Sequence, residues 1–173
     1  MAFFDTEQSA FFFDATQRRI HNNAKIRGNS SRYDAYHLRK WKPMERILAM
    51  QEIMYTTPNL HVVVIDGIVD MLADYNNLEQ AMGVMELLMR WSYDLNVLLF
   101  GILHVNKGDG KLRGHIGSEF KNKCDFIIKA AQAKRNEFSI SNPTGRFLTF
   151  PEMQYSRNED TGEAIYDNEK DKF

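Results

Sequence analysis

Val62-Val63-Val64-Ile65-Asp66-Gly67 is the stretch that decides the fold. Four consecutive β-branched residues with no polar alternation make a strand buried on both faces, and such strands belong to parallel sheets covered by helices. The run ends in an acid followed by a glycine. In open α/β sheets, ligands bind beyond the carboxyl ends of the strands. Asp66 therefore sits where such a fold does its chemistry. Burying a carboxylate there costs free energy unless it serves a cation or a hydrogen-bond network. An aspartate capping the turn at Gly67 is the plainer reading of the same residues.

Upstream of this strand, Ala2-Phe3-Phe4 reads as a short apolar strand running into Asp5-Thr6-Glu7. Phe11-Phe12-Phe13 and Ile20 predict a helix packed below it, and Gly28–Ser31 a loop. Pro43 suits a first helical turn. Ile47, Leu48, Met50, Ile53 and Met54 then recur at helical spacing, up to the stop at Thr56-Thr57-Pro58-Asn59.

Downstream, Asn76 and Asn77 offer N-caps. The helix they open has a predicted apolar stripe of Leu78, Ala81, Met82, Met85, Leu88 and Met89. Val97 to Leu103 is a second all-apolar strand, ending in His104, and Val105 to His115 reads as a mobile polar loop. Phe126-Ile127-Ile128 predicts a third buried strand. Phe138-Ser139-Ile140 and Arg146-Phe147-Leu148 predict a hairpin turning at Ser141–Gly145. Strands alternating with helices and then a hairpin imply an α/β fold, with a mostly parallel sheet between two helical layers.

The 173 residues suit one domain with a real core, and a net charge of −1 gives no global pull toward nucleic acid or anionic membrane. With Cys124 alone, no internal disulfide forms, which fits a reducing compartment. No apolar run approaches the ~20 residues of a membrane span, and Met-Ala-Phe-Phe-Asp lacks the features of a secretory leader. A cytoplasmic location without a membrane partner is the expectation. The charge is uneven: eight basic residues lie between Arg18 and Lys42, against Asp34 alone. A solvated basic face is the plain reading, and a surface for nucleic acid or phosphate the sharper one.

Three polar groups fall at strand ends. Glu7 suits orienting a water for attack on a γ-phosphate, Asp66 suits the water shell of a nucleotide-bound Mg²⁺, and His104 suits a hydrogen bond to the same phosphate. Taken singly, each also reads as a surface acid, a turn cap or a satisfied histidine.

Their order along the chain carries more. Phe3-Phe4-Asp5-Thr6-Glu7-Gln8 resembles the glutamate-ended strand of RecA-like P-loop ATPases, and Val62–Gly67 resembles their Walker B strand. Arg113-Gly114-His115-Ile116-Gly117-Ser118, running on to Asp125-Phe126-Ile127-Ile128, resembles the segment after the DNA-binding loop of hexameric replicative helicases. Lys134-Arg135-Asn136 is similar to their Lys-x-Arg-Asn element. The likeness runs from about Phe3 to Tyr166. It is to the RepA and replicative-helicase type found in plasmid replication and in mobilisation proteins of plasmids and conjugative or mobilisable elements.

The resemblance implies a RecA-like three-layer α/β/α core over residues 1–166 with a flexible acidic tail at 167–173. It implies Glu7 as catalytic glutamate, Asp66 as metal-side acid and His104 as γ-phosphate sensor. It implies Lys107, Lys111 and Arg113 on a DNA-facing loop, and Lys134 and Arg135 as fingers reaching a neighbouring subunit's nucleotide. ATP and Mg²⁺ are the implied cofactors of an intact parent, and a homo-oligomer and DNA the implied partners.

One departure matters. The family's Gly-x-x-x-x-Gly-Lys-Ser/Thr loop, whose backbone N–H groups cradle the phosphates, does not occur in this sequence; Gly110-Lys111 is followed by Leu112. Six residues precede Glu7, so the chain reads as a RecA-like domain truncated before its phosphate loop. On that reading it hydrolyses no ATP alone and binds no cofactor alone. A catalytically inactive oligomerisation or DNA-binding module is the alternative. A Rossmann or flavodoxin-like domain would need a Gly-rich turn after a first strand, and none is present. In the family the missing strand lies between those matching Val97–Leu103 and Phe126–Ile128. Two apolar edges are expected where it is absent, and with them association of copies.

Overall fold

The computed structural model describes residues 1–26, 32–105, 112, 114–145 and 149–166, with the side chains of 143–145 excepted. The chain divides into two compact units, one of Met1–Ala15 with Gly28–Lys123, the other of Thr16–Arg27 with Cys124–Phe173.

The first unit is built on a four-stranded sheet of order β2-β1-β3-β4, comprising β1 (Ala2–Asp5), β2 (Asp34–His37), β3 (Val62–Asp66) and β4 (Leu98–Ile102). Every pairing in it is parallel. Three helices of this unit are α2 (Pro43–Thr56), α3 (Leu78–Leu95) and α4 (Gly114–Lys123), with a 3₁₀ turn at Ile68–Met71. Helix α1 (Ala10–Asn23) begins in this unit and ends in the other.

The apolar core gathers Phe4, Val63 and Ile65 from the sheet with Met50 and Met54 of α2 and Ala81, Met85, Leu88 and Trp91 of α3. The register puts Phe4 beside Ile65 and Ile65 beside Gly101, so these residues share one face. Gly101 is required there: a Cβ at that position would collide with Ile68 and Phe120. Phe3, Asp5, Val64, Asp66 and Phe100 share the opposite face by the same register. On it, α1 places Phe13 against His37, ring centroids 5.1 Å apart.

Several local expectations hold. The first strand opens at Ala2, Pro43 stands in the first turn of α2, and Asn77 caps α3 by accepting the Gln80 N–H at 2.9 Å. Asn96 ends α3 in the left-handed conformation, φ 50°, a geometry asparagine tolerates better than most residues.

Others are corrected. Strand β2 is additional: its Asp-Ala-Tyr-His has no apolar run, and it is held by pairing to β1 and by Tyr36 stacked on Phe4. The buried stripe of α3 runs through Ala81, Val84, Met85, Leu88 and Trp91, whereas Leu78, Met82 and Met89 are exposed. Of the Phe11–Phe13 run only Phe13 packs inward, and Phe11 and Phe12 are exposed. Strand β3 is fully buried on one face and half-buried on the other. Strand β4 is an edge, and Leu98, Phe100 and Ile102 show to solvent. The expected loop closes at Gly114, where α4 starts, with Gly114 at φ 67° against the Tyr75 carbonyl.

The second unit carries an antiparallel sheet of order β5-β6-β7-β8, with β5 (Phe126–Lys134), β6 (Glu137–Gly145), β7 (Met153–Arg157) and β8 (Ala164–Tyr166). Phe126–Ile128 is therefore not a third parallel strand. It begins the edge strand of this sheet, where Phe126 and Ile128 are exposed. The hairpin turns at Arg135-Asn136, with Asn136 at φ 62°, and Ser141–Gly145 lies within β6. Phe138, Tyr155 and Tyr166 form a row of ring contacts across three of the strands.

Candidate functional site

Because all four strands of the first sheet run the same way, their carboxyl ends lie along one edge. The connection from β1 leads to β2 on one side, and that from β3 leads to β4 on the other. The chain thus reverses its direction of travel between β1 and β3, and such a switch point opens a crevice for ligands. Asp5 ends β1 there and pairs in register with Asp66 at the end of β3.

Glu7, two residues past Asp5, and His104, two residues past β4, complete the set. One ligand-capable atom from each of Glu7, Asp66 and His104 lies within 4.8 Å of the other two. His104 Nε2 stands 3.0 Å from Glu7 Oε2. Gly67 is part of the design, since a Cβ there would strike the Glu7 carboxylate. The Asp66–Gly67 peptide is cis.

Backbone and side chains fix this edge tightly. Asp5 is fully buried, and its Oδ1 accepts the N–H groups of Glu7 at 3.0 Å and Gln8 at 2.9 Å. Its Oδ2 has no hydrogen-bond partner among the described residues. Thr6, also buried, donates its N–H to the Asp66 carbonyl at 2.6 Å. The Thr6 hydroxyl accepts the Gly67 N–H at 2.9 Å and lies 2.9 Å from Asp70 Oδ2, to which it donates. Arg46 of α2 donates to the carbonyls of Leu38, Arg39 and Asp70, at 3.2, 2.8 and 2.6 Å. That one guanidinium ties the exits of β2 and β3 to the helix between them. His37 Nε2 meets the Gln8 carbonyl at 2.7 Å.

The electrostatics follow from the crowding of acids. Burial raises the Asp66 carboxyl above the usual carboxylate range, and the charges of Asp5 and Glu7 raise it further; His104 and a hydrogen bond from Gln8 pull the other way. A group held this way is relieved by a cation. Carboxylate oxygens at a strand end fit Mg²⁺, which takes oxygen ligands and keeps several waters.

The structure thus brings together Glu7, Asp66 and His104. Lys134 and Arg135 belong to the second unit, at the β5–β6 turn. They are exposed there and paired with Glu137 at 3.6 Å and Glu159 at 3.7 Å. Lys107, Lys111 and Arg113 lie outside the described residues. Sequence reasoning passed over Asp5, Thr6, Asp70 and Arg46. Asp5 was within reach, because it closes an apolar run as Asp66 does.

No family model matches the chain, and no curated protein matches it by sequence. Solved structures do. An ATPase domain superposes with a TM-score of 0.66 at 10% identity, over 95% of this chain and 73% of that one. A DnaB-like replicative helicase, solved for its interactions with primase, gives 0.63 at 11% identity, over 95% of this chain and 51% of the helicase. A KaiC-like protein of the hyperthermophilic archaeon Pyrococcus horikoshii gives 0.58 at 11%, over 95% and 74%. The chain shares the α/β fold of these domains, a parallel sheet flanked by helices, and spans 73%, 51% and 74% of their lengths. No described helix is long and apolar enough to cross a membrane.

Proposed function

We propose that the chain is the Walker B side of a RecA-like ATPase that works on DNA in replication or mobilisation, its intact form hydrolysing ATP with Mg²⁺. The observation that carries this reading is the meeting of Glu7, Asp66 and His104 at the β1–β3 switch point of a parallel sheet. Asp66 would hold the water shell of the ion, which neutralises charge on the transferred phosphoryl group. Glu7 would orient the attacking water and accept its proton, with His104 holding the Glu7 carboxylate by their 3.0 Å contact and sensing the γ-phosphate.

The reading takes residues 1–166 as the core. Lys134 and Arg135 act on the nucleotide of a neighbouring copy in a homo-oligomer, and Lys107, Lys111 and Arg113 face DNA. The sequence holds no glycine-rich phosphate loop. Several charge-assisted hydrogen bonds to the triphosphate are therefore lacking, each worth about 1.5–3 kcal/mol. This chain by itself neither binds Mg-ATP at micromolar concentration nor turns it over. The same absence favours a second reading, an inactive module for oligomerisation or DNA contact.

Calorimetric titration with Mg-ATP and a phosphate-release assay, on this chain and on the whole product of its gene, separate them. Hydrolysis by the whole product, lost by about 10²–10⁴-fold in Glu7→Gln, supports the ATPase. DNA binding with a steep salt dependence and no turnover in either sample supports the inactive module. Micromolar Mg-ATP binding by this chain alone refutes the assignment of the phosphate ligands elsewhere.

A further inference from the structure

We propose that Glu7, Asp66 and His104 form a direct site for a zinc-class divalent transition-metal ion, filled without any nucleotide. This goes beyond the nucleotide reading and does not depend on it.

The donor set is the first ground. Mg²⁺ prefers oxygen ligands in a strict octahedron and parts reluctantly with its waters. An imidazole nitrogen beside two carboxylates instead favours the later first-row ions. The three ligand-capable atoms lie within 4.8 Å of one another. His104 Nε2 and Glu7 Oε2 are 3.0 Å apart, and two ligands of one tetrahedral zinc stand about 3.3 Å apart. Asp66 is the outlying ligand, and closing the set around an ion shortens its separation from the other two by up to about 1.5 Å, a shift open to a Glu7 side chain that is 34% exposed. His104, at 69% exposure, gives an incoming ion open access from solvent.

Asp5 is the second, independent ground. It is wholly buried, it stands in register with Asp66 on the same face of the sheet, and its Oδ2 has no hydrogen-bond partner among the described residues. A buried carboxyl oxygen without a hydrogen-bond partner is costly. Three protein ligands leave a fourth position on such an ion open for water, and a water there would be the donor for Asp5 Oδ2, whose strand pairs in register with that of Asp66. Carboxylates in this outer role hold the bound water and tune affinity. Gly67 keeps the space clear, since a Cβ there would push Glu7 out of the set.

The test is a titration of EDTA-stripped, nucleotide-free protein with Co²⁺ followed by visible absorption, and with Zn²⁺ and Mg²⁺ followed by calorimetry. One Co²⁺ per chain is expected, with the intense ligand-field bands of a low-coordinate site, displaced by Zn²⁺ and not by equal Mg²⁺. His104→Ala, an exposed position whose loss leaves the core intact, abolishes those bands. Asp5→Asn weakens binding about 10–100-fold. Circular dichroism confirms that both variants are folded. Absence of saturable Co²⁺ binding, or binding unchanged in His104→Ala, overturns the proposal. An ion that binds only together with ATP overturns it as well, while leaving the nucleotide reading standing. Conversely, failure of ATP to bind does not alter the metal titration.

Discussion

Asp5 and Asp66 stand side by side at the ends of neighbouring parallel strands, one wholly buried and the other half-buried. Two carboxylates brought together by the sheet itself, with Glu7 beside them, make this edge of the molecule a place of stored repulsion.

That repulsion sets a pH dependence. The Asp66 carboxyl titrates above its unfolded value, through burial first and then through Asp5 and Glu7. A raised acid favours the folded state while it is protonated, and that advantage is lost as the pH rises through the folded value. Asp66→Asn, which cannot ionise, should therefore raise the melting temperature at about pH 7, with the gain over wild type shrinking steadily on acidification. Melting curves across that range check it. A gain that grows in acid would contradict the assignment.

Thr6 is the hydrogen-bond hub beneath the acids. Thr6→Val keeps the shape but leaves the buried Gly67 N–H without its acceptor and Asp70 without its donor. A cost of about 1–3 kcal/mol is expected, read from chemical denaturation at constant m-value.

Gly67→Ala should act on the site more than on the fold. The new methyl group meets the flexible end of Glu7 and not backbone, so the loss of stability stays near or below about 1 kcal/mol. The Glu7–His104 contact is what breaks, and the imidazole resonances of His104 should move in NMR spectra while most others hold still.

The edge of the first sheet is exposed and apolar. Leu98 is 59% exposed and Phe100 40%. Unpaired strands of this kind invite another chain. Sedimentation velocity should show mass rising with concentration for the wild type and a monomer for the double variant Leu98→Lys/Phe100→Lys. Stability of the variant should change by no more than about 0.5 kcal/mol, as for exposed positions generally.

What the sequence disclosed follows from which forces are local. The run at Val62–Ile65 and the apolar Ala2–Phe4 carry their burial in their own side chains, so both strands were legible, and with them Asp66 and Glu7 though not Asp5. Pro43 and Asn77 mark helix starts by chemistry that acts within one turn. Pairing is different, because it depends on a partner far along the chain. Phe126-Ile127-Ile128 looks as apolar as β3, yet it pairs antiparallel with β6. Asp34–His37 lacks any apolar run and is a strand only because β1 lies beside it. The hairpin was misplaced because Asn142-Pro143-Thr144-Gly145 is stronger turn chemistry than Arg135-Asn136, which turns through the left-handed Asn136. At the site, Glu7, Asp66 and His104 were legible as strand-end polar residues. The orphan oxygen of Asp5 was not, since it is a property of packing.

The register of β1 also has a consequence in time. Ala2 pairs with Val63 on one side and with Asp34 on the other. During synthesis, at roughly 5–20 residues per second, β1 leaves the ribosome several seconds before β3 exists to cover its second side. Phe3 and Phe4, which end with 5% and 0% of their surface exposed, spend that interval in water or in the care of a chaperone. The most deeply placed strand of this sheet is thus the one that waits longest for its neighbours, and newly made chain should be most vulnerable to aggregation in that window.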